Sequence, residues 1–553
     1  MNDNALLGRA RRQSSAWATS RARRRAGAMV AALLCTLSMN LILGPPARAD
    51  SASGGGDLQV TQTLGKREIT VTLRRVTGVP GPLHVDVLTE AGSAPGVLEL
   101  RLVSTGASTD AAYARTESAS TAEVKLGSSP GSYSAVLRVE RAGPWELVVD
   151  DGDRKAMIPF LVPKQGVSPA EQVVYAGFVA GGVLILVTLV VTVRARRGAW
   201  ALVPAGGALA SMAVAVSTAV LSASIPLPPA PGEQVDPTVD NVAQPYSFLR
   251  PMTSNYSRPP ASLVVEPRSA KVGKRAELRL SVIDGSTGLA ADDLLVHDSA
   301  LMHLLVVAPN GELQHVHPVR TGRGTYEVGV RLPAAGHYAI SAEFARRGGG
   351  VQQVRSAVGL DVTGAPDRDR SASAALAVPP GPGTRTVNGV PVHLSVSALQ
   401  VGRASTLTAR VGDTSTLQPW LGMVGHMIVV GPLPKNAAGH GPVGRAAQDA
   451  EVWAHAHSMG SMGGDSSSHS GHHADGGGEA GGAGDTGAMS GLMPLSGESA
   501  ADGTVAAYGP DASFVYTFPL PGEYRVWIQA KRDDTVLTIP YLLNVTGATG
   551  GTS

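Results

Sequence analysis

Three histidines recur at matching places in two stretches of one chain. The first stretch reads Met302-His303-Leu304-Leu305-Val306-Val307, then His315-Val316-His317, then Pro333-Ala334-Ala335-Gly336-His337-Tyr338. The second reads Gly425-His426-Met427-Ile428-Val429-Val430, then His455-Ala456-His457, then Pro519-Leu520-Pro521-Gly522-Glu523-Tyr524. With 14 histidines in 553 residues, chance seldom keeps three in step while nearby polar positions drift. Imidazole is neutral near pH 7 and is the commonest metal-ligating side chain. Residues i and i+2 of a strand share a face, so each His-x-His pair presents two rings side by side. The third ring must come from a neighbouring strand. A three-residue loop with Gly311 in the left-handed position would pair 308 with 312, 305 with 315 and 303 with 317, bringing His303 onto the face of His315 and His317. A two-residue Asn-Gly turn would slip the register by one and point His303 away. Three neutral imidazoles suit Cu(II), with Zn(II) as the second candidate, and leave a position for water or another ligand.

The expected ligands are therefore His303, His315, His317, His426, His455 and His457. Met302 and Met427 adjoin them but should face the other way along a regular strand. Weaker candidates follow the second His-x-His pair: His469, His472, His473, Met459 and Met462, joined further on by Met489 and Met493. The Gly, Ser, Ala and Asp between them cannot build a packed core, so this tract reads as a loose set of copper ligands. Of the remaining histidines, His337 and His393 read as surface or edge residues. His84 and Asp86 have no third partner. His297-Asp298 matches Trp420-Leu421, so it could serve the first copy alone.

Other chemistries find little support. No nucleophile elbow, phosphate loop, HExxH helix or paired-carboxylate pattern is present, so no enzyme is expected. A net charge of +2 gives no footprint for nucleic acid. The one cysteine, Cys35, lies in an N-terminal apolar run; beyond it no thiolate site, disulfide or blue-copper centre can form.

Mainly β structure should position these rings. Alternation at Ile69, Val71 and Leu73, at Leu278, Leu280 and Val282, and at Leu407, Ala409 and Val411 marks half-buried strands. Each repeat ends in a Gly-x-aromatic corner, and Gly143-Pro144-Trp145 repeats it earlier. Three immunoglobulin-like antiparallel β-sandwich domains are expected, at 57–163, 261–363 and 388–546, the last carrying a disordered insertion over 436–510. Val173–Val193 and Ala199–Ile225 are uncharged and long enough to cross a bilayer as a two-helix hairpin; a buried soluble helix is the alternative for the second. Arg194, Arg196 and Arg197 between them should stay cytoplasmic. Residues 1–49 read as a secretory signal, with arginines, an apolar run and Ala47-Arg48-Ala49; an uncleaved anchor is the alternative. Long disordered linkers are expected at 226–260 and 365–387. Both flanks of the hairpin would then lie outside the cytoplasm, with the lipid bilayer as one partner.

The run His297-Asp298-Ser299-Ala300-Leu301-Met302-His303, with His315-Val316-His317-Pro318, resembles the YtkA-like and FixH-like domains of exported bacterial proteins, and more loosely the copper-resistance protein CopC. The resemblance covers 261–363 well, 388–546 fairly and 57–163 weakly. It implies copper handling or assembly of copper-containing membrane oxidases, with another membrane protein or a copper oxidase as partner. The expected start after cleavage, Asp50, lacks the N-terminal histidine that CopC-type sites use. A structural or protein-interaction module of the cell envelope, with histidines in ordinary roles, is the competing reading.

Overall fold

The computed structural model describes residues 57–162, 169–195, 198–222, 260–365, 378–435, 442–458 and 507–547, except 75, 77, 92, 106–119, 348 and 349. The expected signal, most of both linkers, and His469, His472, His473, Met459 and Met462 lie outside the described residues.

The described chain is mainly β, in six sheets that are antiparallel apart from one parallel pairing of Ser269–Lys271 with Leu360–Thr363. Each of the three extracytoplasmic regions expected from the sequence contributes two sheets. Their corners share one device. Gly143, Gly336 and Gly522 each take a positive φ (123°, 130° and 135°), a conformation that favours glycine. The aromatic residue two positions on then bonds back four residues: Trp145 Nε1 donates to Arg141 O, Tyr338 Oη to Ala334 O and Tyr524 Oη to Leu520 O.

Two of the sequence boundaries are corrected. Gly383–Val387, expected as the end of a disordered linker, is a strand paired with Val390–Val396. Inside the expected insertion, Val443–Asp449 is helical and Val452–Ser458 is a strand. The helix buries Val443 and Ala447, and the strand completes a sheet edge beside Gly425–Leu433; both therefore have apolar or ladder partners that composition alone did not reveal.

Two apolar helices, Pro169–Arg194 and Leu202–Ser222, are joined through a short 3-10 turn at Gly198–Ala201. By length and composition both could cross a membrane. They pack through small residues: Gly177 lies so close to Ala215 that a side chain there would collide.

The strands that carry the histidines are apolar on both faces. Met302, Leu304 and Val306 point into the sandwich interior of the second region, and Met427 and Val429 into that of the third. The alternate residues Leu305, Val307, Ile428 and Val430 meet one another, with Trp527, in a separate core between the two regions. The duplicated sheets thus pack outer face to outer face, which explains their continuous hydrophobic runs. His303 and His426 continue these outward-facing rows.

Candidate metal centre

The three-residue loop register holds. Ala308 N donates to Glu312 O, Gly311 sits at φ 82°, and Leu305 pairs with His315. The ladder from Val307↔Leu313 to Leu304↔Val316 therefore sets His303 across from His317. In the second copy His426 pairs directly with His457, and Ile428 with His455. Both triads form: ring nitrogens of His303, His315 and His317 lie within 4.8 Å of one another, as do those of His426, His455 and His457. Met302 and Met427 lie in the sandwich interiors, away from these rings.

The two triads also meet each other. Ring centroids are 4.9 Å apart between His315 and His455, 5.2 Å between His303 and His455, and 5.7 Å between His315 and His426. Six imidazoles thus form one cluster at the junction of the second and third regions. Trp420 covers it, 5.1 Å from His315 and 4.8 Å from His426. The first region closes another side. Thr63 N donates to His317 O, His317 N donates to Thr63 Oγ1, and Glu68 Oε1 accepts from Trp420 Nε1. A cavity of about 360 Å³ reaches the cluster where the three regions meet, lined in part by Thr63, Glu68, His315, Trp420 and Gln529.

Burial and mutual repulsion hold His303, His315, His317, His426 and His455 neutral. His303 is pushed down to about 3, chiefly by burial and then by His315. His315, His317, His426 and His455 are all held well below the ordinary imidazole range, burial again acting first.

A neutral imidazole carries one hydrogen, and outer partners decide where it sits. A backbone carbonyl only accepts, so His303 Nε2, 3.0 Å from His297 O, carries the hydrogen and Nδ1 is left with a lone pair. His315 Nδ1 lies 2.9 Å from Gln529 Oε1, whose amide nitrogen is turned away to Thr538. His315 Nε2 is therefore also a lone pair, and it faces His303 Nδ1 at 3.2 Å. The second triad repeats the pattern. His426 Nε2 donates to Trp420 O, and His455 Nδ1 donates to Glu343 Oε1 3.2 Å away. The bare His426 Nδ1 and His455 Nε2 face each other at 3.1 Å. Two lone pairs turned together can accept a cation between them. Around a tetrahedral ion with bonds of ~2.0–2.1 Å, two nitrogens sit about 3.3–3.4 Å apart, close to both observed separations. The third rings are also free to bind. Among the described residues neither nitrogen of His317 has a hydrogen-bond partner, and His457 Nε2 has none, while Asp298 Oδ2 lies 3.3 Å from His457 Nδ1.

Sequence reasoning found the six rings but not most of their partners. Glu343 and Gln529 occupy equivalent positions, five residues after Tyr338 and Tyr524; Glu343 pairs across the ladder with His303, and Gln529 with His426. That spacing was visible in the repeat. Glu68 carried no such signal, because it comes from another part of the chain. His297 and Asp298 do join the site: His297 Nε2 is 2.9 Å from Asp298 Oδ2 and 4.0 Å from Glu343 Oε1. His337, expected at the surface or an edge, is buried against Asp361, 2.7 Å away, and stands apart from the cluster. His84 and His393 are exposed and also lie outside it.

Fold and site together define a β-sandwich-like protein with two apolar helices and a paired histidine cluster. Residues 496–547 match a family model described as a domain of unknown function, DUF8832. No curated protein matches the chain. Solved structures that resemble it include a tetra-tandem repeat from the extending region of a large adhesion protein, at 10% identity over 86% of this chain and 72% of the other, with TM-score 0.14. A protein described as membrane anchored from Corynebacterium diphtheriae matches at 8% identity over 89% and 96%, with TM-score 0.14. The Yersinia pseudotuberculosis adhesin InvE matches at 10% identity over 52% and 59%, with TM-score 0.13.

Proposed function

We propose that this chain is a membrane-anchored, extracytoplasmic metal-binding protein that holds two ions, copper before zinc, one in each histidine triad. The observation that carries the reading is the pair of facing lone pairs, His303 Nδ1 to His315 Nε2 and His426 Nδ1 to His455 Nε2. Hydrogen-bonding histidines in a purely structural role would alternate donor and acceptor. Here the outer partners spend each ring's hydrogen away from its neighbour, as they do around metal ligands. His317 and His457 would complete three nitrogens per ion. A fourth position is left for water or for a ligand passing through the cavity beside His315.

In this reading the two apolar helices anchor the chain, with the arginines after the first helix on the cytoplasmic side and the sandwiches outside. The role would be copper handling at the membrane surface or supply of copper to an oxidase. The test is equilibrium dialysis of the full chain in detergent against Cu(II) and Zn(II). Wild-type protein should hold two more equivalents than the His315→Asn/His455→Asn double variant; the tract beyond residue 458 contributes equally to both. No difference would leave the structural, protein-interaction reading.

A further inference from the structure

The two triads are built alike but surrounded unequally. Glu343 and Gln529 are equivalent residues of the repeat, and each accepts the Nδ1 hydrogen of a histidine from the opposite region: Glu343 from His455 at 3.2 Å, Gln529 from His315 at 2.9 Å. One acceptor is a carboxylate, the other a neutral amide. The third rings differ in the same direction. Asp298 Oδ2 stands 3.3 Å from His457 Nδ1, whereas Glu68 Oε1 stands 3.6 Å from His317 Nδ1 and is also held by Trp420. Asp298 is itself paired with His297, which joins it and Glu343 in one group of potential ligands.

A carboxylate behind an imidazole makes the far nitrogen a better donor and offsets part of the ion's charge; an amide does the first weakly and the second not at all. The interleaved rings also place the two ions close together, so the first to bind raises the cost of the second. From the exchange of Glu343 for Gln529 at one position of the repeat, together with Asp298, we infer that the sites fill in order: the His426–His455–His457 triad first and tightly, the His303–His315–His317 triad second and exchangeably. Resting on the metal-binding reading, this makes the second triad a resident site. The first triad, whose His315 borders the cavity, becomes the site that accepts and releases ions. Glu343 is a positioning residue: it acts through His455.

The test is a chelator-competition titration of the full chain with Cu(II). Wild type should show two steps, the tighter belonging to the second triad. The His315→Asn variant, with only the second triad whole, should then bind at least about tenfold tighter than His455→Asn. The Glu343→Gln/Gln529→Glu exchange should invert that order. Glu343→Gln alone should weaken the tighter wild-type step by about tenfold and leave the weaker one in place, with Glu343→Asp restoring most of the loss. That readout stands even where a histidine variant fails to fold. Equal affinities, a tighter first triad, or an order unmoved by the exchange would overturn the inference while leaving metal binding intact. No binding step in wild type beyond that of the double histidine variant would overturn it together with the reading beneath it.

Discussion

His455 Nδ1 lies 3.2 Å from Glu343 Oε1, so a ring carried by the third region has its hydrogen placed by the second. His315 and Gln529 make the reverse crossing at 2.9 Å. Each triad is therefore contained within one region but tuned by its neighbour.

It follows that one region alone is a poor site. A fragment spanning 255–365 keeps His303, His315 and His317 but loses Gln529, Trp420 and Glu68. It should bind Cu(II) at least about tenfold more weakly than the equivalent step of the whole chain, measured by competition against a common chelator. Equal affinity would show that the crossing partners are irrelevant.

The buried imidazoles also set a pH dependence. His303, His315, His317, His426 and His455 titrate in the folded chain below the 6.5 of an ordinary histidine, so the unfolded chain takes up protons first as pH falls. Their contribution is intact above about pH 6.5 and is lost below it, by up to about 1.4 kcal/mol per pH unit for each ring. Glu68 works in the opposite sense. Burial pushes it up to about 7 from 4.5, so its contribution is present below pH 4.5 and lost as pH rises through 7. Burial raises Glu343 in the same sense, so two carboxyls are set against five imidazoles. The thermal midpoint of metal-free protein should drop between pH 7.5 and 5.5, and Glu68→Gln should raise it above pH 7. A flat profile would mean that the rings are solvated.

The core between the duplicated sheets should matter as much as either sandwich interior. Trp527 is 1% exposed, packs in the core shared with Leu305, Val307 and Ile428, and donates to Gly311 O at 3.2 Å. Trp527→Ala should cost about 3–5 kcal/mol by denaturant unfolding. Because the loop at Gly311 sets the register of His303 against His317, the first triad should weaken with it. A cost below about 1 kcal/mol would imply that the two regions do not stay docked.

For the membrane arrangement, a single reporter cysteine at Ala195, in a Cys35→Ser background, should react with an impermeant thiol reagent only from the cytoplasmic side of vesicles. One at Thr384 should react only from outside. Labelling of both from the same side would contradict the two-span topology.

Much of this was legible because the chain repeats itself. The match of His303, His315 and His317 to His426, His455 and His457 identified the triads, and the Asn310-Gly311 loop fixed their register once a left-handed glycine was assumed. The apolar runs Leu304–Val307 and Met427–Val430 marked strands, but not the second apolar face they use. Periodicity records burial and not the identity of the partner. That is why the joining of two triads into one cluster was not foreseen. Glu68 and the ordered segment 442–458 escaped for a similar reason: both depend on contacts distant in sequence, with Trp420 in one case and with the sheet beside Gly425–Leu433 in the other.

The central claim is that the histidines hold ions through nitrogen. X-ray absorption spectroscopy of the full chain loaded with one and then two equivalents of Cu(II) addresses it most directly. Three imidazole nitrogens at about 2.0 Å per ion, unchanged in number from the first equivalent to the second, are predicted. A shell dominated by oxygen, or a spectrum identical to that of the His315→Asn/His455→Asn variant, would contradict it.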